Sequence, residues 1–299
     1  MLVLEWLDIH ALLRVRATCA DGDQAASATL SRRIRLLMLP YFTDYAGFIE
    51  EMRLSSAVVT GEAALHVLHP HHGPPPTLAL ALPDDLFFHM VGYLVRVEFY
   101  SYAMSTHHNG SQGLQRLTRT ATLRKETCTI EIIQSGTHSP LTPTLSGWNT
   151  ALTAYFTPNG FCDPYALLSR QQRALLNPWM DQTQQNPLWI RQQKKSWRNQ
   201  GWKILAGSVV EGARDGCAGR AKFDCAGAVR VYGDADCVAG PWQPVRNRRE
   251  ERKVPLDLVQ RHTVMWWRGG RTCGERCQGG LMRLTPGGRT VLRELAKVM

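Results

Sequence analysis

The chain has 299 residues, 44% of them apolar and 20% charged, an ordinary globular composition long enough for two domains or for one large domain with an extension. No uncharged apolar run reaches the length of a membrane span, and Met1 to Leu13 carries Glu5 and Asp8 without a basic leader, so neither a membrane protein nor a secreted one is expected. The net charge of +10 is uneven: residues 1–150 carry 11 Lys/Arg against 13 Asp/Glu, and residues 151–299 carry 24 against 12.

Residues 1–55 read as a helical segment. Leu4, Leu7, Leu12 and Val15 mark a first helix, and a polar break follows from Ala17 to Ala26. Ala28 to Leu39 has Leu30, Ile34, Leu37 and Met38 on one stripe, with Arg32, Arg33 and Arg35 off it. Pro40 stops that helix, and Thr43 is placed to cap another through Met52. Residues 56–168 then alternate strand and helix signals. Ser56 to Thr60 is a short buried-strand run, broken at Gly61, where a tight turn can enter a helix from Glu62 to Leu68. His69 to Pro76 cannot continue the helix because of its prolines, and Thr77 to Leu82 is the next apolar strand. Asp84 is placed to cap a helix to Val95. Strands are expected over Arg96 to Tyr102, Leu114 to Leu123 and Glu126 to Gln134, with a turn at Asn109–Gly110, and a helix around Trp148 to Tyr155. The fold class expected is α+β: a mixed sheet with flanking helices.

The stretch from Ala57 to Pro83, with Glu131 beyond it, resembles the core of the nucleotidyltransferase-like fold, and the likeness covers about residues 10–170. More narrowly it is similar to uncharacterised fungal proteins with an F-box-like N-terminus; the Leu-Pro entry of a full F-box is absent here. In that family a strand ends in Gly-Ser at a helix start, a further strand carries Asp-x-Asp, and a later strand carries a third carboxylate. In this chain Glu62 follows Gly61, Thr77 and Ala79 stand at the two aspartate positions, and Glu131 stands at the third. Two-metal nucleotidyl transfer needs clustered carboxylates around a pair of Mg²⁺ ions. Thr77 and Ala79 keep the facing of the aspartates and lose their charge. The resemblance therefore implies a fold and no reaction: no catalytic residue, no cofactor, and a degenerate site at Gly61, Glu62, Thr77, Ala79 and Glu131.

Residues 169–206 form a polar and basic linker or helices. Trp189 to Trp202 reads WIRQQKKSWRNQGW, so Lys194, Lys195 and Arg198 could contact phosphates while Trp197 and Trp202 stack on bases; alternatively the tryptophans pack on the neighbouring domain. Residues 207–299 are rich in Cys, Arg and Gly. Cys273 and Cys277 have a permitted zinc-ligand spacing, but Cys217, Cys225, Cys237 and His262 supply no clean second pair, so no metal is expected. The group His66, His69, His71 and His72 lacks a completing carboxylate motif and reads as a solvated loop rather than a metal site. Three functions compete. The first is a non-catalytic binding or scaffold protein with an inactive core. The second is an active transferase with relocated carboxylates at Asp84, Asp85 and Glu131. The third is a nucleic-acid binder using the basic second half. A protein partner, reduced cysteines and a cytoplasmic or nuclear setting go with the first.

Overall fold

The computed structural model describes residues 2–108, 117–177, 188–205, 229–234, 236–243 and 264–267. They form an α+β fold, with helices packed on an eight-stranded mixed sheet. A short turn, Leu2–Trp6, precedes α1 (Ile9–Arg16), which Asp8 caps by accepting from Ala11 N at 2.8 Å. The polar break expected over 17–26 shrinks to three residues, because α2 (Ala20–Met38) begins at Ala20. Asp21 and Asp23 fall in its first turn, where carboxylates complement the helix dipole, so the acidic run starts the helix instead of interrupting it.

Arg33 is another departure. It lies buried between α2 and the first turn, with Nη2 donating to the carbonyls of Leu4, Glu5 and Leu7 at 2.8, 2.8 and 2.7 Å. Its Nη1 donates to Val67 O at 3.2 Å. Burial draws the guanidinium pKa down to about 10, against the opposing pull of Glu5 and Asp8. The side chain gathers carbonyls from the first turn and its exit together with one near the end of α4, which apolar periodicity cannot reveal.

α3 (Tyr45–Leu54) is capped by Asp44 rather than Thr43. β1 (Val58–Thr60), α4 (Gly61–Leu68) and β2 (Leu78–Leu82) follow the sequence expectation closely. α5 (Phe87–Arg96) begins beyond Asp84 and runs through Arg96, so the next strand, β3 (Ser101–His107), starts five residues later than its apolar pattern suggests. The intervening Glu98 is buried. It accepts from Thr43 N at 2.8 Å and lies 3.7 Å from Lys125 Nζ, tying the entry of α3 to the end of α5. β4 (Leu117–Lys125) and β5 (Cys128–Ser135) complete this half. The turn expected at Asn109–Gly110 lies outside the described residues.

The helix expected at Trp148 to Tyr155 is a single tight turn, Thr150–Thr153, leading into β6 (Tyr155–Phe156) and β7 (Gly160–Asp163). α6 (Ala166–Arg170), β8 (Arg173–Leu175), α7 (Leu188–Asn199) and β9 (Lys203–Leu205) follow. Among the described residues three short strands come last: β10 (Val229–Val231), β11 (Val238–Pro241) and β12 (Met265–Trp267). Arg230 pairs with Asp234 in the turn after β10 and anchors β10 to the body through a bond to Pro164 O at 3.0 Å, with its guanidinium over the Tyr165 and Trp266 rings. Cys217, Cys225, Cys273, Cys277, His262, the arginine-rich run after residue 243 and the expected final helix lie outside the described residues.

The large sheet runs β11-β7-β6-β1-β2-β5-β4-β3. All neighbours are antiparallel except β2 and β5, which are parallel. Strand alternation sorts its two faces. Val59, Leu78, Leu80, Leu82, Ile130, Ile132, Ala121 and Leu123 point into the main core, shared with Ile9, Leu12, Leu30, Phe48 and Met90 of the helices. Val58, Ala81 and Ile133 point to the other face, with Tyr155, Cys162, Leu141 and Val264. Among the described residues no helix is long and apolar enough to cross a membrane, and Cys19, Cys128, Cys162 and Cys237 are free thiols.

Candidate functional site

Gly61 takes φ +68°, a conformation that favours glycine, and so turns the chain from β1 into α4 without strain. A Cβ at this position would lie 3.9 Å from the Ala79 methyl. In the sheet Ala79 is flanked by Thr60 on β1 and by Glu131 on β5. Glu131 is flanked in turn by Thr122 on β4. Gly61, Ala79 and Glu131 therefore meet on the sheet face opposite the main core, and Thr77 sits half-buried one residue before β2. Burial alone raises the Glu131 carboxyl above its ordinary value. Beside it, where another carboxylate could share a cation, stands a methyl group.

Glu62, the residue after the glycine, belongs to a different network. Its Oε1 accepts from Trp197 Nε1 at 3.1 Å, and its Oε2 lies 3.8 Å from His72 Nε2. Burial pushes the Glu62 carboxyl up, but the bonds from His72 and Trp197 outweigh it and hold the group below its ordinary value. Trp197 and Trp202 are both buried, packed on each other, on His72 and, for Trp197, on Trp148. Their ring faces are thus occupied by protein, and base stacking is closed to them. Lys195 and Arg198 stay exposed on the outside of α7, and Lys194 is half-buried.

The histidine stretch is not a solvated loop. His69 and His72 are buried, and His66 is half-buried. His69 Nε2 lies 2.8 Å from Asp163 Oδ2, with both side chains fully buried, and Asp163 Oδ1 accepts from Tyr165 N at 2.9 Å. His66 Nδ1 lies 2.6 Å from His72 O and must carry the proton, since a carbonyl only accepts. Burial depresses the pKa of His66, and that of His71 to about 4, where the like charges of His69 and His72 add to the burial. His71 is exposed at its outer edge, so water screens much of this effect and His66 is the better reporter of it. His10 is depressed by burial too, against Asp8 and Asp163. The expectation of solvation fails because the local prolines say nothing of long-range partners. Asp163, 94 residues beyond His69, carries no sequence signal that links the two.

Among the described residues, one group of three ligand-type side chains has its donor atoms within 4.8 Å of one another: Asp84, Asp85 and His138. It is largely exposed, and His138 Nδ1 lies 3.1 Å from Asp84 Oδ1. Glu131 is not a member of it. The relocated set Asp84, Asp85 and Glu131 is therefore not brought together, and His138, which no sequence motif marks, takes the third place. No protein-family model, no curated protein and no solved structure matches the chain.

Proposed function

We propose that the chain is a non-catalytic binding or scaffold protein, built on a degenerate nucleotidyltransferase-like core and acting on a protein partner in the cytoplasm or nucleus. One observation carries the reading: Ala79 lies between Thr60 and Glu131 in the sheet, beside the glycine turn, so the position that would pair with Glu131 around a metal is a methyl group. A strand ending at Gly61, a helix opening there, and Ala79 and Glu131 paired across neighbouring strands support the likeness. Desolvated Glu131, with no second carboxylate grouped beside it among the described residues, supports the loss of chemistry, because a pair of Mg²⁺ ions needs several carboxylates to offset its charge.

Isothermal titration with nucleoside triphosphates, with and without Mg²⁺, tests the reading. The expected result is no metal-dependent binding. Tight Mg²⁺-dependent binding that Glu131→Ala abolishes would reinstate a catalytic centre and overturn the proposal.

A further inference from the structure

Cys162 lies on β7 and faces the side of the sheet away from the main core, packed with Tyr155 and Val58. β11 pairs with β7 in antiparallel register, with Ala239 opposite Cys162. Cys237, two residues before Ala239, therefore falls on the same face, and it packs against the same cluster. The two side chains meet there: Cys162 hydrogen-bonds to the Cys237 sulfur. Both are free thiols.

The turn between β10 and β11 holds Cys237 in this position. Its amide donates to Asp234 O at 3.0 Å, and its Sγ lies 3.6 Å from Val231 O. Buried Arg230 donates to Cys237 Sγ at 3.6 Å while it pairs with Asp234, whose carboxylate also bonds to Cys237. The backbone of Gly233, in the same turn, bonds to Cys162. The two sulfurs differ in access. Cys162 is buried and Cys237 is half-buried, so a small oxidant in water meets Cys237 first. Contact with Cys237, then burial, pushes the Cys162 thiol well above its ordinary range, so it keeps its proton until its neighbour has reacted.

We propose that Cys162 and Cys237 form a modification site, a dithiol that a hydroperoxide converts to a disulfide. Cys237 Sγ attacks one peroxide oxygen. An S–O bond forms, the O–O bond breaks, and the thiol proton leaves with the departing oxygen, as water from hydrogen peroxide or as an alcohol from an organic peroxide. The sulfenic acid so formed lies beside Cys162, placed to condense with it. Cys162 Sγ attacks the Cys237 sulfur, the S–S bond forms, the S–O bond breaks, and the hydroxide leaves with the Cys162 proton as water. Two thiols lose two electrons between them, and one hydroperoxide gains them. Cys237 precedes the first residue pair of the β7–β11 ladder, so the adjustment that disulfide geometry requires falls in the turn and leaves the strand pairing in place. In a reducing compartment such a bond is transient, a response to oxidant rather than a permanent staple. This inference does not depend on the reading of the Glu131 face.

The test treats the reduced full chain with one equivalent of hydrogen peroxide, alkylates the remaining thiols and maps the peptides by mass spectrometry without reduction. The main intramolecular disulfide should join Cys162 to Cys237, and dithiothreitol should remove it. In Cys162→Ala, shown to be folded by circular dichroism, Cys237 should persist as a sulfenic acid that dimedone labels several-fold more than in the parent. Cys128→Ala, which removes a thiol bonded elsewhere, to Pro40 O, should leave the linkage unchanged. If Cys162→Ala does not fold, the map of the parent chain decides alone. No Cys162–Cys237 linkage at a tenfold excess of peroxide, linkage of Cys237 mainly to another cysteine, or dimedone labelling of Cys237 no greater in folded Cys162→Ala than in the parent overturns the proposal.

Discussion

The strand face around Glu131 and the loop around His69 reverse each other's appearance in the sequence. The strand face carries the positions that resemble a catalytic core and holds one carboxylate, Glu131, that has no hydrogen-bond or ion-pair partner among the described residues. The loop has the composition of a solvated, proline-rich linker, yet its His69 is buried against Asp163 and its His72 packs on the Trp197–Trp202 pair, with Glu62 joining His72 to Trp197. They also lie on opposite sides of the sheet. By strand alternation Asp163 shares the helix side with Phe161, while Glu131 shares the other side with Ile133. A motif position tells where a group would act, but burial and partners decide what the group present can do. The comparison breaks most readily at Asp163. Asp163→Ala strands His69 in the interior and should cost about 3–5 kcal/mol in urea denaturation, the scale for removing one partner of a buried pair. A loss under about 1 kcal/mol, the scale of an exposed pair, would mean that the loop is as solvated as its composition suggests.

Acid sharpens the same contrast. His10, His66 and His71 have folded-state pKa values depressed by burial. Their unfolded counterparts take up protons near pH 6.5, before the folded ones do. The stability tied to them is therefore complete above that pH and declines as the pH falls toward the folded values. Glu62, with its carboxyl held low, adds a loss at still lower pH, below about 4.5. The denaturation midpoint should fall steadily between pH 7 and pH 5, and replacing His66 by Gln should flatten part of that slope. A midpoint independent of pH in this window would place the imidazoles in water.

The parts of this fold legible in the sequence are those fixed by neighbours in the chain. Gly61, the prolines after His69 and the run LALAL locate β1, α4 and β2 to within about two residues, because turn geometry and alternation are local properties. What stays hidden depends on partners far away. Arg33 reads as a solvent-facing side chain until the carbonyls of residues 4, 5 and 7 come to lie around it. Glu98 interrupts no pattern, yet α5 ends and β3 starts where its carboxylate meets the amide of Thr43. Of the degenerate site, the sequence places Ala79 and Glu131 on separate strands, and their pairing is a matter of sheet register that only the fold supplies. The use of Glu62 does not: its bond to Trp197 spans 135 positions of sequence.

The last two experiments act on the strand face itself. Thr77→Asp with Ala79→Asp restores the missing acids at two half-buried positions, so the folded protein should tolerate them. If the likeness to a metal-binding core is real, Mg²⁺ or Mn²⁺ at tenfold the dissociation constant should stabilise the variant by about 1.4 kcal/mol and leave the parent unchanged. No metal-dependent rise in melting temperature at any concentration would count against the nucleotidyltransferase-like reading rather than only against its loss of activity. Glu131→Gln should have the smallest effect. The carboxylate is destabilised by burial, and its raised pKa means that the folded state binds a proton more tightly than the unfolded chain. Its penalty is present at neutral pH and is relieved as the pH falls through the folded value. The neutral amide should thus be equal to or more stable than the parent at pH 7, by at most about 1 kcal/mol, and lose that advantage in acid. A clear destabilisation at pH 7 would show that the Glu131 charge is held by a partner, and the strand face would no longer be the empty one of the two.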